Sequence, residues 1–299
     1  MRAVGLSADR PGPLVPVEWL AERLGSPGLV VLDASVSAHR SPDRGAHRAV
    51  DRSVDMGADR RIPGARVFDL DGALSDHSGP LPHTMPGPEA FAREMRAVGV
   101  HDADTVIVYD AAGVYSSARA WWMLRAMGFD RVAVLDGGLP AWSGAGLPCE
   151  SGDAAAWPEG DFTARPRPGL VVGSDEVAAA LSDPEAVVID ARARGRFTGT
   201  APEPRAGLRG GHMPGAVNLP FVELQREGRM LPVPELRAAF AGLVGERERL
   251  VFSCGSGVTA CVLALGAELA GYRALSVYDG SWSEWGLPSE RPVVTGERN

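Results

Sequence analysis

Arg249–Tyr272 reads RLVFSCGSGVTACVLALGAELAGY: a short β-branched run, a cysteine, a glycine–serine–glycine bend, and a long apolar stretch. A short apolar run that turns tightly into a helical pattern is the unit of a parallel sheet covered on both faces. The stretch after the bend is apolar nearly all round, with Glu268 its only charge, which predicts a buried helix. The same pattern occurs earlier in the chain. Thr105–Phe129 reads TVIVYDAAGVYSSARAWWMLRAMGF, with Asp110 where the later copy has Cys254. Three further pairs follow in the same order: VVLDA at Val30–Ala34 with VVIDA at Val187–Ala191, RIPGA at Arg61–Ala65 with HMPGA at His212–Ala216, and LDGGLPAW at Leu135–Trp142 with YDGSWSEW at Tyr278–Trp285. Four matches in one order, about 150 residues apart, mark a tandem duplication.

Each half alternates strand-like with helix-like runs, so the expected fold is α/β: two doubly wound, mainly parallel sheets with helices on both faces. In the second half a cap-like SDEVAAALS helix opens at Ser174, followed by VVIDA, AVNLPF, the helix VPELRAAFAGLV, the strand LVFSC, the helix GVTACVLALGAELAG and the strand LSVYDG. Leu147–Gly169 is rich in Pro, Gly, Asp and Ala and has no apolar periodicity. It is expected to be a linker, leaving domains at 1–146 and 170–299. The polar segment Ser37–Arg61 holds His39 and His47 without metal-ligand spacing, and is expected to be a solvated loop at the mouth of a cleft.

The chain has 299 residues, room for two ordinary domains. Its hydrophobic fraction of 45% and charged fraction of 23% are those of a globular protein. A net charge of −8 argues against nucleic acid or an anionic membrane as the main partner. All 30 cations are arginine, a bias that a GC-rich genome produces. Without lysine the chain can neither form a Schiff base with pyridoxal phosphate nor complete a Walker A loop. No apolar run resembles a secretory signal or approaches the ~18 residues of a membrane helix. Three scattered cysteines (Cys149, Cys254 and Cys261) suit neither a disulfide framework nor a zinc site, so a reducing cytoplasm is the expected location. No metal, nucleotide or flavin site is apparent, and no cofactor is expected.

Ligands of open parallel sheets bind where strands end and loops turn into helices, and Cys254 stands at such a place. Gly255 and Gly257 permit a bend in which successive main-chain N–H groups converge, and the following helix adds its positive end. A thiol there is expected to ionise below its ordinary ~8.5, making a nucleophile and a holder for a persulfide anion. The alternative is an ordinary buried cysteine, for which this bend is a costly setting. Cys261, seven residues along an apolar helix, reads as core; about 10 Å of helical rise separates it from Cys254, which argues against a disulfide. Cys149 is incidental. A carboxylate at Asp110 cannot carry sulfur, so the first domain is expected to be catalytically silent and to wall the cleft.

CGSGVT at Cys254–Thr259, with DARARGRF, GTAPEPRAGL, GHMPGAVNLPF and YDGSWSEW around it and WWMLRAMGF and LDGGLPAW in the first half, resembles the tandem rhodanese family, and within it the branch that uses 3-mercaptopyruvate. The resemblance runs from about Leu14 to Trp285. It implies that Arg196 and Arg205 clamp the substrate's carboxylate and carbonyl, work that suits a planar guanidinium fork. It implies that Gly255, Ser256, Gly257, Val258 and Thr259 line the sulfur, with a hydroxyl at Ser256 or Thr259 able to bond the thiolate or relay a proton. Asp71 matches the aspartate of a Ser–His–Asp relay. Its histidine is His83, with His77 the rival, because the spacing from Asp71 to His83 is one residue longer than the pattern.

The implied activity is a ping-pong sulfur transfer: Cys254 takes sulfur from 3-mercaptopyruvate, pyruvate leaves, and a thiol acceptor such as thioredoxin, or cyanide, receives the sulfur. Thiosulfate sulfurtransferase is the near alternative, although thiosulfate-preferring relatives resemble CRKGVT, whereas Gly255 and Ser256 are uncharged. A cysteine phosphatase needs an arginine six residues after its cysteine, where this chain has Ala260. A sulfur carrier without turnover would use the same Cys254, and Arg196 and Arg205 argue instead for a small carboxylate substrate.

Overall fold

The computed structural model describes residues 11–36, 60–152 and 156–297. In the first half, β1 (Leu14–Val15), β2 (Leu29–Asp33), β3 (Arg66–Val67), β4 (Thr105–Tyr109) and β5 (Val132–Leu135) form one parallel sheet in the order β1-β5-β4-β2-β3. In the second half, β6 (Val171–Val172), β7 (Ala186–Asp190), β8 (Val217–Asn218), β11 (Arg249–Ser253) and β12 (Ala274–Tyr278) repeat it in the order β6-β12-β11-β7-β8. The duplication read from the four sequence pairs is thus a duplication of topology.

Strand side chains alternate between faces, and here both faces are buried. Val30 and Leu32 of β2 enter one core while Val31 enters another; in β11 Leu250 and Phe252 divide from Val251 in the same way. The outer face of the first sheet is covered by α1 (Val17–Ala21) and α4 (Gly138–Gly144), through Val17, Leu20, Leu139 and Trp142. That of the second is covered by α5 (Ser174–Leu181) and α9 (Ser281–Trp285), through Val177, Trp282 and Trp285. The inner faces merge. Helices α3 (Ser116–Ala126) and α8 (Ala260–Ala270) pack against one another, Arg125 pairs with Glu268, and Trp121, Leu124, Phe252 and Leu265 share one continuous core. The two domains are fused through apolar burial, the dominant favourable term in folding.

Local expectations needed three corrections. Helix α5 begins at Ser174, but its N-cap is Gly173, whose N–H the Glu176 carboxylate accepts at 2.6 Å; the Ser174 hydroxyl instead takes a hydrogen bond from Arg291 Nη2. After β8 comes an antiparallel hairpin, β9 (Gln225–Arg226) and β10 (Arg229–Met230), turned by Glu227 and Gly228 at φ 53° and 75°, as a type I′ turn requires. Of the stretch expected to be a linker, residues 160–167 are laid along the first domain. The amides of Gly160, Phe162, Arg165 and Arg167 donate to the carbonyls of Arg96, Val100, Met127 and Ala126. Phe162 is buried with its ring centroid 5.8 Å from that of Phe91 and 5.5 Å from that of Phe129. One anchor in an extended strip leaves no periodicity to read. Of the polar segment Ser37–Arg61, residues 37–59, with His39 and His47, lie outside the described residues; Arg61 pairs with Glu150 at 2.9 Å.

Phe162→Ala should therefore lower the unfolding free energy by about 3–5 kcal/mol, as a core aromatic does and a free tether would not; the urea midpoint reads the difference.

Candidate active site

Cys254 follows directly on β11, and Thr259 is the N-cap of α8, so Cys254–Thr259 is the strand-to-helix bend foreseen from the sequence. The bend is packed away: Cys254 has 0% exposure and Ser256, Val258 and Thr259 no more than 3%. Its curvature rests on Gly257, at φ 76°, where a Cβ would stand 2.8 Å from the Asp279 carbonyl oxygen. Gly255 does not adopt a positive φ, so only one of the two glycines is used as expected.

Burial of the bend makes its main-chain donors the decisive question. The amides of Cys254 and Gly257 both donate to the Ser281 hydroxyl, at 3.1 Å each. Those of Gly255, Ser256, Val258 and Thr259 find no acceptor among the described residues. The matching bend of the first half shows what such donors can hold. There the Asp110 carboxylate accepts from the amides of Ala112 (2.8 Å), Tyr115 (2.8 Å) and Ser117 (2.9 Å) and from the Ser117 hydroxyl (2.6 Å). Burial raises the Asp110 carboxyl from its ordinary value, and these four donors oppose the rise. The first-half bend is filled by its own carboxyl group; the bend at Cys254 is not.

Three side chains meet at the bend. His83 Nδ1 lies 3.0 Å from the Ser256 hydroxyl, and His83 Nε2 lies 3.3 Å from Asp71 Oδ1. Because a carboxylate only accepts, the neutral ring carries its proton on Nε2 and Nδ1 accepts from Ser256. His77 is elsewhere, exposed and bonded to the Gly72 carbonyl. His83 sits at φ 58°, uncommon for a side-chain-bearing residue, and its carbonyl is held by Arg119 Nη2 at 2.9 Å. Arg119, fully buried on α3, also donates to Asp279 Oδ1 at 2.6 Å. Burial, and after it the charges of Arg119 and Arg205, push the His83 pKa below its ordinary value, against the opposing pull of Asp71.

Each of the two arginines has a partner of its own. Arg205 Nη1 donates to the Ser283 hydroxyl at 3.0 Å, and that hydroxyl donates to the Gly255 carbonyl at 2.6 Å. Arg196, in α6 (Arg194–Thr198), pairs with Glu203 at 2.7 Å. Glu203 in turn pairs with the buried Arg192 at 2.9 Å, and Arg192 forks onto Asp190. Of the remaining candidates, Thr259 makes no side-chain cap on α8. Burial pushes the Cys261 thiol up to about 12, and it donates to the Gly257 carbonyl, a core role. Sequence reasoning passed over Ser281, Ser283, Asp279 and Arg119. The first two were visible where LDGGLPAW and YDGSWSEW differ; the others became legible only once the halves were docked. A cavity of about 410 Å³ near Arg66, His101 and Trp157 contains none of the site residues.

Glu203→Ala strips the buried Arg192 and the half-buried Arg196 of their shared partner and should cost about 3–5 kcal/mol in denaturant unfolding.

Comparison with known proteins accords with this geometry. The model of the rhodanese-like domain matches twice, at residues 16–145 and 174–287. The 3-mercaptopyruvate sulfurtransferase of Escherichia coli K12 is 42% identical over 280 residues, covering 93% of this chain and 96% of its own. The Homo sapiens enzyme of the same name is 42% identical over 292 residues, covering 95% of each. The crystal structure of SseA from Escherichia coli superposes with a TM-score of 0.76 at 40% identity, covering 92% of this chain and all of that one. The chain belongs to the rhodanese-like family, as a two-domain member allied to the 3-mercaptopyruvate sulfurtransferases.

Proposed function

We propose that this protein is a sulfurtransferase that moves sulfur from 3-mercaptopyruvate to a thiol or to cyanide through a persulfide on Cys254, releasing pyruvate. The observation that carries the reading is the contrast between the two bends. One is filled by Asp110; the other keeps four uncommitted amides beside a cysteine and a Ser256–His83–Asp71 chain. Donors fixed in place stabilise an anion without reorganising when it forms.

In this reading the Cys254 thiolate attacks the sulfur of HS–CH2–CO–COO⁻. A sulfur–sulfur bond forms, the carbon–sulfur bond breaks, and its electron pair passes to carbon as the enolate of pyruvate. Arg196 and Arg205 hold the carboxylate and carbonyl, and Gly255, Gly257, Val258 and Thr259 shape the wall around the sulfur. The substrate's thiol proton passes through Ser256 to neutral His83, whose imidazolium Asp71 stabilises, and returns to the methylene carbon to give pyruvate. What remains is Cys254–S–S⁻, held by the amides. An acceptor thiol, thioredoxin being the candidate, then takes the outer sulfur and restores the thiolate. A buried sulfur is shielded from water between half-reactions. In our division, residues 1–146 form a catalytically silent domain that supplies His83 and Asp71, 147–169 connect, and 170–299 carry the cysteine. All three cysteines are free, which suits the reducing cytoplasm. Among the described residues no helix is long and apolar enough to cross a membrane.

Steady-state kinetics with mercaptopyruvate and thiosulfate, cyanide being the common acceptor, test the substrate. We expect the larger kcat/KM with mercaptopyruvate and no pyruvate from Cys254→Ser. A larger value with thiosulfate, or pyruvate formed by the serine variant, overturns the reading.

The pH profile tests the relay. Because the His83 pKa lies below the ordinary 6.5, the neutral ring survives as pH falls through 6.5, and the acid limb of pyruvate release lies lower. Asp71→Asn removes the carboxylate that opposes this depression, so the limb moves lower still. His83→Asn abolishes the limb and slows pyruvate release by about 10²–10⁴-fold.

A further inference from the structure

The turn beside each bend differs between the halves at three positions, two of which bring a side-chain hydroxyl to the bend in the second half. In the first half it runs Asp136-Gly137-Gly138-Leu139-Pro140; in the second, Asp279-Gly280-Ser281-Trp282-Ser283. The backbones part at the second residue, where Gly137 lies at φ 80° and Gly280 at φ −65°, and agree at the third. Gly138 lies at φ 53° and Ser281 at φ 48°, and the amide of the next residue, Leu139 or Trp282, donates to the carbonyl of Asp110 or Cys254. Left-handed backbone favours glycine, and Gly138 shows that glycine serves this fold. Serine in the same conformation is a strained choice, and strain of this kind collects at functional sites.

The two turns leave their bends in different states. A Cβ at Gly138 would lie 2.3 Å from the Asp110 carbonyl oxygen and 2.5 Å from that of Gly113, so the silent bend is closed down onto its turn. In the second half a side chain occupies that place, and its hydroxyl is saturated. It accepts from the amides of Cys254 and Gly257 and donates to the Tyr278 carbonyl at 2.8 Å. At the other position, Pro140 offers no N–H. Ser283 gives two bonds to the Gly255 carbonyl, from its amide at 2.9 Å and its hydroxyl at 2.6 Å, and receives Arg205 on the same hydroxyl.

We propose that Ser281 and Ser283 are positioning residues of the sulfur-transfer step. Ser281 takes up two amides of the bend and holds it open, so that the other four face the sulfur. Ser283 ties the arginine that grips the donor to the loop that carries the nucleophile. Neither touches the reacting atoms. The inference rests on the reading given above as Proposed function and adds the device that separates a working bend from a silent one.

The full-length protein is compared as wild type, Ser281→Gly, Ser281→Ala and Ser283→Ala. Thermal melting reports folding, and the burst of pyruvate per Cys254 counts competent sites. Single-turnover release and KM are then measured with mercaptopyruvate. Ser281→Gly relieves a left-handed side chain but leaves the amides of Cys254 and Gly257 without their acceptor, so it should melt below the wild type while remaining folded. Its release rate per competent site should fall about ten-fold or more at unchanged KM, as misplacement of a preorganised group does. Ser283→Ala should do the reverse, raising KM by about three-fold or more with a smaller change in rate, as loss of uniform substrate binding does. A merely structural role would lower the burst and leave the rate per competent site untouched, and that result overturns the proposal. Amide hydrogen exchange, which needs no substrate, should be faster at Cys254 and Gly257 in Ser281→Gly; unchanged exchange there also overturns it. If the wild type releases no pyruvate, the functional reading fails, while the exchange result still decides whether Ser281 holds the bend.

Discussion

A sulfur anion kept out of water needs donors in place of its hydration, and the six residues from Cys254 to Thr259 are arranged around that requirement. Buried charge is costly unless compensated. Main-chain amides compensate it without long side chains having to be ordered, provided nothing else takes them. Here a strand ends, Gly257 turns the chain where no other residue fits, and α8 begins, so that four amides remain uncommitted. The first half meets the same problem with a side chain in place of a ligand: Asp110 bonds the amides of its own bend and fills it.

The duplication explains how the rest of the site is assembled. Each half lays a segment over the other's bend and fastens it to the turn aspartate. The Met85 amide donates to Asp279 Oδ2 at 2.8 Å, and the Met230 amide donates to Asp136 Oδ1 at 2.9 Å. Over the silent bend the visiting segment is the β9–β10 hairpin, with Gly228 against Gly113, which leaves a Cβ no room. Over the working bend it carries His83 and Asp71. One exchange thus closes a bend and the other equips one. The common core between α3 and α8 fixes the register, and Arg119 bonds both the His83 carbonyl and Asp279 from behind. In the function proposed above, the first domain is kept for the half of the relay that it supplies.

The fold was legible because topology follows from local pattern. VVLDA and VVIDA, and the two strand–bend–helix runs, recur in order, and strand order and burial followed. Cys254 was legible for the same reason, since its neighbours in sequence are its neighbours in space. His83 could not be separated from His77 by spacing, because Ser256, 173 residues away, makes the choice. Arg196 and Arg205 were read by resemblance; Glu203, which pairs with the first, stands seven residues along the same stretch, whereas Ser283, which bonds the second, is 78 residues away, so that only the fold joins the two. The connecting segment misled because its low periodicity hid one buried aromatic, Phe162. Gly255 misled because two glycines in a bend look equivalent until a backbone is built.

The central claim is that the bend stabilises a sulfur anion on Cys254. Intact-mass and peptide mapping of wild-type protein after one equivalent of mercaptopyruvate, with no acceptor present, tests it directly. The account predicts one added sulfur atom on Cys254, formed with one pyruvate and lost when thiol is supplied. Pyruvate released while Cys254 gains no sulfur, or sulfur found on Cys149 or Cys261 instead, would contradict it.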